Sequence, residues 1–301
     1  MNLVQNTNSS CIVYCHHSMK SNHLCYQFQK RVYTDGIFNN AIDATYIIHL
    51  SNNGRESHIE NQLSMYHPTD RIFLVINQGY KSCSKSLPEQ KPAHDLTDSF
   101  LQIFQHANEE NYNHILILED DFEFHPKIKN PEIQREISDF LNSKHTDKFL
   151  YYLGCLPYLQ STGFSNHNRL YLSGGTHACI YSRPLRNFIL ESYKSKDIVD
   201  WDVFHNCNLF HYPRFVYKEP LCYQLFSFTE NSNHWYNPFG LADGLKQIHQ
   251  YFQLDKKVEP GHQIFYNLSK FIYVFLLFLF SLPLIILIWL TIREKGGKKR
   301  K

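Results

Sequence analysis

The stretch HILILEDDFEFHP, residues 114–126, decides how the rest of the chain is read. Four aliphatic residues at 115–118 run into three consecutive carboxylates, Glu119, Asp120 and Asp121. A short unbroken apolar run of this kind fits a strand buried on both faces. Adjacent like charges must be hydrated, paired or bound to a cation. A helix N-cap or a solvated turn is the plain alternative.

Upstream, ATYIIHL at 44–50 is a β-rich apolar run that ends in the turn SNNGRE. RESHIENQLSMYH then has helical spacing at Ile59, Leu63 and Tyr66. RIFLVI at 71–76 reads as a second buried strand closed by a polar loop, and HDLTDSFLQIFQHANEE as an amphipathic helix. That helix places Leu96, Phe100, Ile103, Phe104 and Ala107 on one face, with His94 or Asp95 as its cap. Strand, helix, strand, helix, strand predicts an α/β fold with right-handed crossovers, a mostly parallel sheet and flanking helices. Ligands of such sheets bind beyond the carboxyl ends of the strands, where the acidic triplet falls. Downstream, DKFLYYLG and RLYLSGGTHACIYS read as strands, the second broken at Gly174 and Gly175; SRPLRNFILESYKS and VDWDVFHNCNLF read as helices.

The chain has 301 residues, 43% of them hydrophobic, enough for one large core. A formal net charge of +2 gives no electrostatic footprint for nucleic acid. The eight cysteines do not form a disulfide framework in a chain of this length. The cluster CIVYCHHSMKSNHLC lacks the paired spacing of a zinc site and reads as strand or loop.

FIYVFLLFLFSLPLIILIWLTI, 271–292, is uncharged, has no polar face, and is long enough to span a bilayer as a single C-terminal anchor. The basic tail REKGGKKRK at 293–301 resembles a dilysine retrieval signal facing the cytosol, as the positive-inside bias also expects. The opening residues lack a secretory signal pattern, which places the body in the cytosol instead. The two signals conflict, so the side of the membrane stays open among endoplasmic reticulum, Golgi, viral or host membranes. The expected organisation is an extension at 1–43, a catalytic domain at 44–238, a stalk at 239–270, the span at 271–292 and the tail.

Alternate residues of an extended segment point the same way, so Glu119 and Asp121 can converge on one cation. Oxygen ligands suit Mg2+ or Mn2+, which can hold a diphosphate as a leaving group. The chain resembles GT-A fold glycosyltransferases, and most closely glycosyltransferase family 25. YIIHLSNNGRESHIENQL resembles that family's opening strand, turn and helix, and HDLTDSFLQIFQHANEENYNHILILEDDFEF its helix and acidic metal motif. LSGGTHACIYSRPLRNFI resembles its Gly-x-His-Ala strand, while DIVDWDVF and KEPLCYQLFSFTENS resemble its late acidic and Pro-Leu-x-x-Gln segments. AHDLTDSF departs from the family's Ser-His helix start, and His49 and Ser51 stand where Asn and Asp are usual.

The resemblance implies a nucleotide-sugar donor, as a uridine diphosphate, and a hydroxyl acceptor on a glycan, lipid or protein. It places Glu119 and Asp121 on the metal and Asp120 on the donor. His234 is a candidate third ligand; Arg55, Gly174, Gly175 and His177 are candidates for donor, phosphate or acceptor contacts. Asp200 or Asp202 is the candidate general base, only one fitting because a helix sets them on different faces. For each the bland alternative is an ordinary turn, packing residue or surface charge. Two other functions stay open: a nucleotidyltransferase, for which SNNGRE offers a single glycine, and a degenerate transferase retained as a membrane-bound binding protein.

Overall fold

In the computed structural model β2 (Ala44–Leu50) lies between β3 (Arg71–Asn77) and β4 (His114–Glu119), parallel to both. The structure describes residues 23–163, 165–192, 200–225, 244, 247–248, 250–254 and 257–298. The crossovers run through α1 (Glu56–Met65) and α2 (Pro92–Glu109). Strand β4 shows why its run is apolar throughout. Ile115 and Ile117 join one core with Phe100 and Phe104 of α2, and Leu116 and Leu118 join the opposite core with Ile59 and Leu63 of α1.

Beyond β4 the sheet is mixed, which corrects the expectation of a mostly parallel one. β7 (His167–Ser182) pairs antiparallel with β4 and with β6 (Leu150–Gln160), and β8 (Arg214–Tyr217) pairs parallel with β6. Strands β6 and β7 are joined by a loop of a few residues, too short for a crossover, so they form a hairpin. With β1 (Tyr26–Val32) at one edge, the order is β1-β3-β2-β4-β7-β6-β8. Strand β7 is not broken at its glycines; it runs through them, with Gly175 at φ 80° and register shifts in the facing strand.

The edge strand β1 (Tyr26–Val32) pairs antiparallel with β3, so the sheet begins ahead of residue 44. Cys25, just before it, forms a disulfide with Cys83, a single link rather than a framework among the described residues. Neither His94 nor Asp95 caps α2, because both lie inside its first turns behind Pro92. Asp95 instead meets the buried Lys85 ammonium at 2.5 Å.

Helix α3 (Pro131–Ser143), capped by Asn130, covers the face that α1 covers, while α4 (Arg183–Ser192) and α5 (Trp201–Cys207) lie with α2. A two-stranded sheet, β5 (Phe122–Phe124) with β9 (Cys222–Gln224), carries the chain away from the acidic triplet. Helix α6 (Gly261–Lys298) starts within the stretch expected to be a stalk, with Phe265, Tyr266 and Ser269 buried against the body. Its Gly261–Trp289 portion is long and apolar enough to cross a membrane.

Candidate active site

A cleft of about 710 Å³ opens at the carboxyl ends of β2, β3 and β4. The β2–α1 turn, the start of the β3–α2 loop and Glu119, Asp120 and Asp121 line it. The turn reverses through Asn52 at φ 63° and Gly54 at φ 77°, which brings Asn53 and Arg55 over the triplet.

Asp120 is the buried anchor of that turn. Its Oδ2 accepts from His49 Nδ1 at 3.1 Å, the Leu50 amide at 3.2 Å and Asn53 Nδ2 at 2.5 Å, while Arg55 donates to Oδ1. Burial pushes this carboxyl up, but the His49 bond, the Arg55 charge and Asn53 outweigh it and hold it below the ordinary range. Both oxygens are therefore committed to the protein's own donors. Arg55, expected at the donor, lines the cleft and also reaches Asp121 Oδ2 at 3.4 Å.

Glu119 and Asp121 flank this anchor with very different surroundings. Asp121 is buried; Gln224 donates to its Oδ2 at 3.3 Å, and its Oδ1 has no hydrogen-bond partner. Burial, against the pull of Arg55, raises it to about 7. Glu119 accepts one bond, from Thr176 Oγ1 at 3.2 Å. Burial, together with the charges of Asp121 and Asp202, pushes it far above the ordinary range. Asp202 accepts from the Gly175 amide at 2.9 Å, and burial plus Asp200 lifts it to about 7. Carboxylates from two chain segments, Asp121 and Asp202, thus crowd Glu119 with few donors among them.

The fold separates the two late aspartates. Asp200 caps α5, its Oδ1 accepting from the Asp202 and Val203 amides at 2.9 and 3.1 Å. Asp202, in the first turn, points instead at the acidic group through Gly175. A Cβ on Gly174 would lie 2.8 Å from the Tyr158 hydroxyl, so the strand passes close to that ring. His177 is fully buried, held neutral by burial with its pKa lowered to about 4; its Nε2 lies 3.4 Å from the Cys222 carbonyl and its Nδ1 has no partner. His234 lies outside the described residues.

Thr176, Gln224, Asn53 and His49 complete the site and were not among the sequence candidates. All four fall in the ATYIIHL, SNNGRE, LSGGTHACIYS and KEPLCYQL segments, so a signal existed for each. Among the described residues no three His, Cys, Asp or Glu side chains are already gathered in a metal-holding arrangement. The unpartnered Asp121 oxygen and the neighbouring Glu119 carboxyl nevertheless offer oxygen ligands, which fit a hard divalent cation better than a soft one.

No protein-family model matches the chain. No curated protein matches it either. Solved structures with partial similarity include a Thermus thermophilus protein described as a mannose-1-phosphate geranyltransferase, at 10% identity and TM-score 0.33, over 58% of this chain and 72% of that one. A glycosyltransferase involved in glycosylating the major capsid of PBCV-1 aligns at 11% identity and TM-score 0.35, over 62% and 93%. An apo UDP-glucose pyrophosphorylase aligns at 10% identity and TM-score 0.29, over 60% and 78%.

Proposed function

We propose that the chain is a membrane-anchored glycosyltransferase of the GT-A type, moving a sugar from a nucleotide sugar, a uridine diphosphate derivative, to an acceptor hydroxyl. The observation that carries this reading is the buried, unpartnered Oδ1 of Asp121 among Glu119 and Asp202, at the mouth of a cleft at the strand ends. Ionising buried acids left short of donors is costly, and a bound cation would offset that cost. Glu119 and Asp121 would hold Mn2+ or Mg2+. When bound, that ion supplies the charge that stabilises a departing diphosphate.

The chain's own residues divide the remaining work. Arg55 presents its guanidinium to the cleft, where it can pair with phosphate oxygens. Asp120 lines the cleft and fixes Arg55 and the β2–α1 turn. Asp202 is assigned as the general base: its value near 7 lets it take a proton from a hydroxyl at neutral pH. Asp200 orients it by capping α5. The β2–α1 turn offers Gly54 alone, which disfavours the Gly-rich phosphate loop of a nucleotidyltransferase. The anchor is α6, whose Phe271, Phe275, Phe278 and Phe280 all face outward.

Thermal melting of the full chain in detergent, with Mn2+ and uridine diphosphate singly and together, tests the reading. The pair should stabilise more than either alone, by about 2.7 kcal/mol at a hundredfold excess over Kd. Asp121→Ala should abolish the gain. No gain in the wild type, or an equal gain in the variant, favours a degenerate binding protein.

A further inference from the structure

We propose that the acceptor is a membrane lipid, a glycolipid or lipid-linked saccharide whose reacting hydroxyl lies just above the bilayer. The proposal rests on the transferase reading and names the substrate class of that same site. Tyr171 of β7 stacks on Tyr273 of α6, centroids 5.8 Å apart and planes within 10°. Tyr273 sits at the start of the apolar stretch of α6, where tyrosines mark a membrane interface. Gly175, whose amide holds Asp202, is four strand residues beyond Tyr171, a span of about 13 Å at most.

A second path links the same strand to the apolar stretch of α6. Tyr158, against Gly174, packs edge-on to Phe265, centroids 6.3 Å apart. Phe265 is six helical residues, about 9 Å of rise, before the outward-facing Phe271.

The height is also fixed. Helix α6 is continuous from Gly261 to Lys298, and its first turns are clamped to the domain. Gln160 Nε2 donates to the Tyr266 carbonyl at 3.2 Å and lies 2.8 Å from Ser269 Oγ, while Lys270 Nζ donates to the Lys218 carbonyl at 2.5 Å. A stiff mount with no linker suits a substrate whose own height above the bilayer is fixed, as a lipid headgroup's is. Glycans on membrane proteins stand at varied heights and would be better served by a flexible tether.

The full chain, reconstituted in vesicles of total polar lipid extract without other protein, is incubated with labelled nucleotide sugars, and label is counted in the organic phase and as free sugar. A variant carries an eighteen-residue helical insert after Lys270, about five turns, raising the domain about 27 Å without rotating it. Wild type should label lipid; the insert should cut lipid labelling at least tenfold and leave donor hydrolysis unchanged. Equal lipid labelling by the insert variant overturns the proposal. So does a wild type that hydrolyses donor yet labels only added soluble oligosaccharides or membrane glycoproteins. Absence of hydrolysis with every donor defeats the transferase reading itself, a different result from hydrolysis without lipid transfer.

Discussion

Replacing Asp121 with Asn should make the metal-free protein more stable while removing its response to metal. The folded carboxyl sits at about 7 against an ordinary 3.8, mainly through burial. At about 1.4 kcal/mol per pH unit, ionising it inside the fold costs up to ~4 kcal/mol, a ceiling because Glu119 and Asp202 share the effect. The sign follows from proton binding. Between about pH 4 and 7 the unfolded chain has released this proton and the folded chain still holds it. Wild-type stability therefore falls as pH rises across that window and is level above it. An amide at this position carries no charge to ionise, and its oxygen can still accept from Gln224, so the replacement removes this group's share of the fall without stranding that donor.

Thermal melts of both proteins in detergent with chelator, at pH 4.5, 6 and 8, would show it. The curves should nearly coincide at pH 4.5, and the Asp121→Asn variant should melt about 10 °C higher at pH 8. Added Mn2+ should raise only the wild type at pH 8 and do much less at pH 4.5, where protons compete for the same oxygens. A variant no more stable than wild type at pH 8 without metal would refute the claim that Asp121 is a buried charge awaiting a cation.

Asp120→Ala should cost about 3–5 kcal/mol, because it strands the buried His49 ring, Asn53 and Arg55; a Tm loss under a few degrees would contradict its role as the anchor. Asp200→Ala should lose about 1 kcal/mol of cap stability and retain part of the transfer rate, whereas Asp202→Asn should fold normally and lose transfer; equal rate losses would remove the distinction between cap and base. Removing the Cys25–Cys83 bond, which links residues 58 apart in sequence, should destabilise by about 4 kcal/mol, read as a lowered Tm of the Cys25→Ser, Cys83→Ser double variant. Complete protection of both thiols from alkylation in cells, with the domain protease-resistant in sealed vesicles, is the outcome expected of a body in an oxidising compartment.

The sequence by itself determined the inner strands and where their charges fall. The runs at 44–50, 71–76 and 115–118 are dominated by apolar residues, and β4 shows the reason: successive side chains enter opposite cores. The amphipathic spacing of α2 and the apolar length of α6 were equally local, and so legible. The sheet's mixed direction was not, because it depends on the short β6–β7 connection and on β1 adding at the far edge. Nor was the division of labour among the acids. Glu119, Asp120 and Asp121 are neighbours in sequence, yet Asp120 meets four donors from the β2–α1 region while Asp121 keeps a bare oxygen and Glu119 faces Asp202. Asp202 joins that group only because β7 passes between α5 and β4, bringing Gly175 and Thr176 alongside. A carboxyl's charge is set by the donors and charges within a few ångströms of it, and those arrive from segments far away along the chain.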